Sequence, residues 1–110
     1  MPRFITYASY SAEGMRGLLK KPEDRAAAIG ALVEKSGGKL IALYMTSGSN
    51  DAVAITETPD GDAAAAVSMA IGASGILSRI ETVRAWTSAE FVDVAKKAAG
   101  LSSAYTPPGA

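Results

Sequence analysis

The hydrophobic and polar positions of this chain trace one pattern twice. Phe4, Thr6, Ala8 and Tyr10 alternate with Ile5, Tyr7 and Ser9, the period of two that a β-strand imposes. Both alternating sets carry large apolar groups, so Arg3–Tyr10 is expected to be a central strand covered on both sides. Ser11-Ala12-Glu13-Gly14 then supplies a capping hydroxyl and an early acid, which open a helix. Pro22 interrupts it near Lys20-Lys21 and is placed to start a renewed helix. Along that helix Ala26, Ile29 and Val33 recur at helical spacing until Ser36-Gly37-Gly38 ends the segment. Lys39–Thr46 alternates again, with Leu40, Ala42 and Tyr44 on one face and Ile41, Leu43 and Met45 on the other. A second apolar face is too costly to leave wet on an edge strand.

The turn Ser47-Gly48-Ser49-Asn50-Asp51 starts the second copy. Asp51–Glu57 reads as a strand, and Asp60 or Asp62 caps an alanine-rich helix over Asp62–Ala73 that Gly72 and Gly75 stop. The closing strand, Ile76–Trp86, places Leu77, Arg79, Glu81, Val83 and Ala85 opposite Ile76, Ser78, Ile80, Thr82, Arg84 and Trp86. Strand–helix–strand, repeated, predicts a single α+β domain over residues 1–98. Its form is a ferredoxin-like βαββαβ antiparallel sheet with helices on one face. Thr87-Ser88-Ala89-Glu90 matches a capping box and opens a short extra C-terminal helix through Lys97. The tail, residues 99–110, has no periodicity and is expected to be disordered. The uncovered apolar faces of the first and second strands call for a symmetric partner, which would close a dimeric α+β barrel.

Composition narrows the chemistry. At 110 residues one domain is expected. Much of the 48% hydrophobic fraction is alanine, which favours close helix packing over a thick core. Eleven basic and eleven acidic residues leave a formal charge of zero, so no field gathers nucleic acid or anionic lipid. With no histidine and no cysteine, Ser–His and Cys–His catalysis, imidazole or thiolate metal sites and disulfides are excluded. Gly72-Ala73-Ser74-Gly75 is not a phosphate loop, because it precedes a strand and lacks the Gly-Lys-Ser/Thr ending. No cofactor and no metal site are expected. Met1-Pro2-Arg3 runs directly into strand pattern and no segment approaches the ~20 apolar residues of a membrane span, so a cytoplasmic protein is expected.

Five short segments together resemble the GYD-domain family of small bacterial proteins. They are Phe4-Ile5-Thr6-Tyr7, Lys35-Ser36-Gly37-Gly38, Gly48-Ser49-Asn50-Asp51-Ala52-Val53, Glu57-Thr58-Pro59-Asp60 and Ile80–Trp86. The motif behind the family's name, glycine, any residue, tyrosine, aspartate, falls on Gly48–Asp51 with Asn50 in the tyrosine's place. The resemblance implies a dimeric α+β barrel and no assigned chemistry.

Three groups of side chains are candidates for a site. Gly48–Asp51 closes a hairpin by turn chemistry alone; the functional reading has Asp51 at the mouth of a pocket, holding a ligand cation or hydroxyl. Glu57, Arg79, Glu81 and Arg84 read as cross-strand Arg–Glu pairing at an interface, or alternatively as Arg79 or Arg84 gripping a ligand carboxylate. Tyr7, Tyr44 and Trp86 fit plain strand packing or the lining of a cavity with orienting hydroxyls. Arg25, after Glu23-Asp24, reads as a solvated residue with local ion pairing. Two functions follow. The first is a non-enzymatic homo-oligomer that binds a small molecule between sheet and helices, or serves a structural or regulatory role. The alternative is a cofactor-independent oxygenase or isomerase of the dimeric-barrel type, with Tyr7, Glu57 and Arg84 positioning substrate and moving protons.

Overall fold

The computed structural model describes residues 1–110. In chain order it contains β1 (Arg3–Tyr10), α1 (Ala12–Lys20), α2 (Ala26–Lys35), β2 (Lys39–Met45), β3 (Ala52–Glu57), α3 (Gly61–Gly72), β4 (Leu77–Ala85) and α4 (Ser88–Ser102). All strand pairs are antiparallel and the sheet order is β2-β3-β1-β4. β1 is central and β2 an edge, as the alternation predicts.

The helices begin where side chains replace missing backbone partners. Ser11 Oγ accepts from Gly14 N–H at 3.1 Å, Asp60 Oδ1 from Ala63 N–H at 2.8 Å, and Thr87 and Glu90 form the expected capping box. Two helix limits differ from expectation. Pro22 does not open α2; the chain stays irregular to Arg25, and Asp24 Oδ1 accepts from Ala26 N–H at 2.9 Å. An acceptor for a free donor decides that boundary over proline's preset φ. α4 continues past Lys97 to Ser102, so residues 99–102 are helical rather than aperiodic. Alanines 98 and 99 propagate the helix, and Gly100 weakens it by about 1 kcal/mol without adopting the left-handed turn that would end it.

A β-bulge changes which side chains share a face. β2 pairs Leu40 with Thr56 and then Ala42 with Ile55, leaving Ile41 as the extra residue. Side chains opposite one another lie on one face, so Leu40, Leu43 and Met45 join Phe4, Thr6 and Ala8 on the helix side. Ala42 and Tyr44 turn to the other face with Ile5, Tyr7, Val53 and Ile55. The uninterrupted alternation expected for Lys39–Thr46 is thus overturned at Ile41.

α2 and α3 cover the helix side of the sheet, where Phe4, Val33 and Ala64 form the buried apolar core. A hydroxyl chain crosses this layer: Thr6 and Thr82 are 2.8 Å apart, Thr82 and Ser68 are 2.7 Å apart, and Ser68 donates to Ala64 O at 3.2 Å. Only six of 110 residues are buried, and the chain exposes 7310 Å². A compact chain of 11.2 kDa exposes about 5,700 Å². α4 buries none of its residues and is held at its base by Trp86 and Phe91, whose rings meet edge to face at 5.5 Å. No helix is long and apolar enough to cross a membrane.

Candidate functional site

The sheet's two faces divide the candidate residues between them. On the open face the strand register sets up four rows. Arg3, Glu57, Lys39 and Ala85 form the first; Ile5, Ile55, Ala42 and Val83 the second; Tyr7, Val53, Tyr44 and Glu81 the third; Ser9 and Arg79 the last. An apolar band therefore runs between charged ends. At one end Glu57 lies between Arg3, at 3.7 Å, and Lys39, at 3.4 Å. At the other Arg79 and Glu81, neighbours along β4, approach to 4.0 Å with both side chains more than half exposed. Pairing across strands thus falls to Arg3, Glu57 and Lys39, and Arg79–Glu81 is a weak pair within one strand. Tyr7, Tyr44, Glu57 and Arg79 all belong to this face.

Arg84 lies on the helix side, and its partners are structural. It donates to Ala85 O at 2.6 Å and stands 4.8 Å from the Trp86 ring centroid and 5.9 Å from that of Phe4, a stacked cation at the sheet's end. Trp86 in turn packs on Phe91. Tyr7, Glu57 and Arg84 therefore do not converge on one substrate position, because strand parity sends Arg84 to the opposite face. Asp51 is also committed: its Oδ2 accepts from Tyr10 N–H at 2.8 Å and its own N–H donates to Ala8 O at 2.8 Å. It stitches the β2–β3 hairpin to the end of β1.

The structure places a cavity between sheet and helices instead. Its volume is about 70 Å³. Thr6, Ala8, Ala52 and Ala54 form the floor on β1 and β3, Leu43 and Ile80 the flanks, and Ile29 and Ile71 the roof on α2 and α3. Small floor residues create the space, since alanine leaves unfilled what a larger side chain would occupy. Ten of the twelve lining residues are hydrophobic. Arg25 is the only charged one, and none of the seven residues expected to form a site lines this cavity.

Arg25 also borders two outer hollows of about 390 and 330 Å³. Arg25 follows the irregular Pro22–Asp24 stretch between α1 and α2, and its Nη1 donates to Glu23 Oε1 at 2.7 Å. The pairing with Glu23 follows from the sequence; the position over an apolar cavity does not. No group of His, Cys, Asp or Glu residues is arranged to hold a metal.

A four-stranded antiparallel sheet in this order, with helices on one face and the other face open, is the ferredoxin-like α+β fold from which dimeric α+β barrels are built. A family model described as the GYD domain matches residues 4–95, and the chain belongs to that family. Among solved structures the chain is similar to TTHA0845 from Thermus thermophilus. They share 18% identity and a TM-score of 0.53 over 80% of this chain and 96% of that one. It is also similar to FFRP-DM1, with 19% identity and a TM-score of 0.48 over 78% of this chain and 100% of that one. At these identities the likeness to TTHA0845 is one of fold. No curated protein is significantly similar to the chain.

Proposed function

We propose that this chain is the subunit of a homodimer or higher even oligomer that binds a small apolar molecule between sheet and helices without transforming it. The observation that carries the reading is the cavity lining, hydrophobic at ten of twelve positions and free of carboxylates. General acid–base chemistry needs a titratable group within hydrogen-bond reach of the substrate. Glu57, the carboxylate named for that role, faces away from the cavity, and the register separates it from Arg84. An oxygenase or isomerase acting through Tyr7, Glu57 and Arg84 has no single observation in its favour.

Assembly is supported by surface area. The excess exposure of about 1,600 Å² over a compact chain, shared with the unburied α4, leaves room for the ~800 Å² that a standard interface takes from each partner. The open face also has the anatomy of an interface, an apolar band with charged residues at its rim.

Native mass spectrometry of the protein purified from its own cells tests both halves. An even oligomer carrying the mass of a small molecule is expected. A bare monomer at micromolar concentration overturns the assembly, and an even oligomer that takes up no small molecule with an apolar body overturns the binding role. Val83→Lys places a cation in the apolar band and is expected to yield monomers in sedimentation velocity; an unchanged oligomer would mean that another surface mediates assembly.

A further inference from the structure

We propose that the ligand is a short-chain aliphatic carboxylate, held with its hydrocarbon end in the cavity and its carboxylate on Arg25. The inference rests on the cavity being the binding site, and it adds the headgroup and the residue that selects it.

Arg25 is the one charged residue on the lining of a cavity hydrophobic at ten of twelve positions, and it also borders two further hollows. A guanidinium presents a planar fork that matches a carboxylate with two parallel hydrogen bonds. Its present partner is Glu23, at 2.7 Å, and the two side chains are 35% and 39% exposed. An ion pair that open to water contributes little, so a ligand carboxylate can replace Glu23 at little net cost. Lys21 Nζ, 3.9 Å from Glu23 Oε2, remains beside Glu23 after the exchange.

The cavity fixes the rest of the molecule. At about 70 Å³ it is about half the ~150 Å³ that accommodates benzene, which favours a short linear or branched chain over an aromatic ring. A second carboxylate at the far end would lie among Ala52, Ala54 and Ile80 with no cation to meet it, and burying an unpaired charge there is prohibitive. The ligand is therefore a monocarboxylate.

The test is an NMR titration of the full-length ¹⁵N-labelled protein with pentanoate and, separately, with 1-pentanol, which has the same tail and no charge. The amides of Ile29, Ala52 and Ala54 report the cavity. Pentanoate is expected to bind at least tenfold more tightly than 1-pentanol. Arg25→Gln should bring the two dissociation constants together, and Arg25→Lys should retain part of the preference as a point charge. Glu23→Gln, which frees the guanidinium, should tighten pentanoate binding and leave 1-pentanol unchanged. The same spectra verify that each variant is folded. Equal affinities in the unsubstituted protein, or a preference that survives Arg25→Gln, overturn the headgroup assignment while leaving the cavity as the site. If neither compound shifts the cavity amides, the binding role fails together with the inference.

Discussion

Gly14→Ala sets two effects of known sign against each other on one helix. Gly14 is the one buried residue of α1. A Cβ there would stand 2.1 Å from Ile76 O and 2.9 Å from Ile76 C, about 1 Å closer than packed atoms approach. The obstacle is backbone and cannot turn aside, so α1 must move off the start of β4. That motion strains Ser11 N–H to Ile76 O at 2.8 Å and Ser11 Oγ–H to Gly75 O at 2.7 Å, bonds that contribute about 1 kcal/mol each. Overpacking adds about 1–3 kcal/mol, and alanine's helix propensity returns about 1 kcal/mol. A net loss of about 2–4 kcal/mol is expected. Gly17, one turn further along α1, has nothing within 4 Å of its Cβ position. Gly17→Ala should therefore stabilise by about 0.5–1 kcal/mol through propensity alone. Urea denaturation at a fixed protein concentration measures both, with an unchanged slope confirming comparable states. A Gly14→Ala protein as stable as the original would refute the seating of α1 against Ile76.

Asp51→Ala should cost about 1–2 kcal/mol in the same assay by leaving Tyr10 N–H without its partner, and should leave pentanoate affinity unchanged; a loss of binding would restore Asp51 to the site. The Glu90 carboxyl is held below its ordinary value of 4.5, first by the Thr87 backbone N–H and then by the Thr87 side chain. A depressed folded value means that this contribution is present above pH 4.5 and is lost as pH falls through the folded value. The first turn of α4 should accordingly loosen only in acid, as read from its amide shifts. Thr87→Ala should raise the Glu90 midpoint in a ¹³C carboxyl titration, and an unmoved midpoint would count against the capping box.

The sequence pattern carried the central position of β1 in the sheet, between β3 and β4, while the cover expected over its second face falls on the open side with Ile5 and Tyr7. It also carried the repeat that gives the sheet its order. The faces of β2 were illegible for a specific reason. Leu40-Ile41-Ala42-Leu43 is apolar at every position, so no polar residue marks which one is extra, and the bulge at Ile41 reverses the parity of all that follows. Arg84 illustrates a different limit. Its parity was readable, yet the Phe4 and Trp86 rings that engage it depend on strand ends meeting in space. Arg25 was read correctly as a local ion-pair partner, met by Glu23, but its place on the cavity lining depends on how the irregular Pro22–Arg25 stretch is placed in space.

In the proposed function, assembly and ligand binding would meet in the same two strands. Ile5 and Tyr7 on β1, with Val53 and Ile55 on β3, face the open side, while Thr6, Ala8, Ala52 and Ala54 on those strands floor the cavity. A partner covering the open face would not touch a ligand in the cavity, yet would restrain the backbone carrying the floor. In a monomer, β1 and β3 have an unpacked side and sample a broader set of positions, and a ligand that needs one of them must order the strands on binding. That ordering weakens the apparent affinity by the fraction of time the floor is in place. Pentanoate should therefore bind Val83→Lys monomers several-fold more weakly than the oligomer, although Val83 lies on the face opposite the cavity. By linkage, pentanoate should also shift the variant back towards the oligomer in sedimentation. Equal affinity in monomer and oligomer would mean that the two faces of the sheet act independently, with the helices alone holding the cavity in shape.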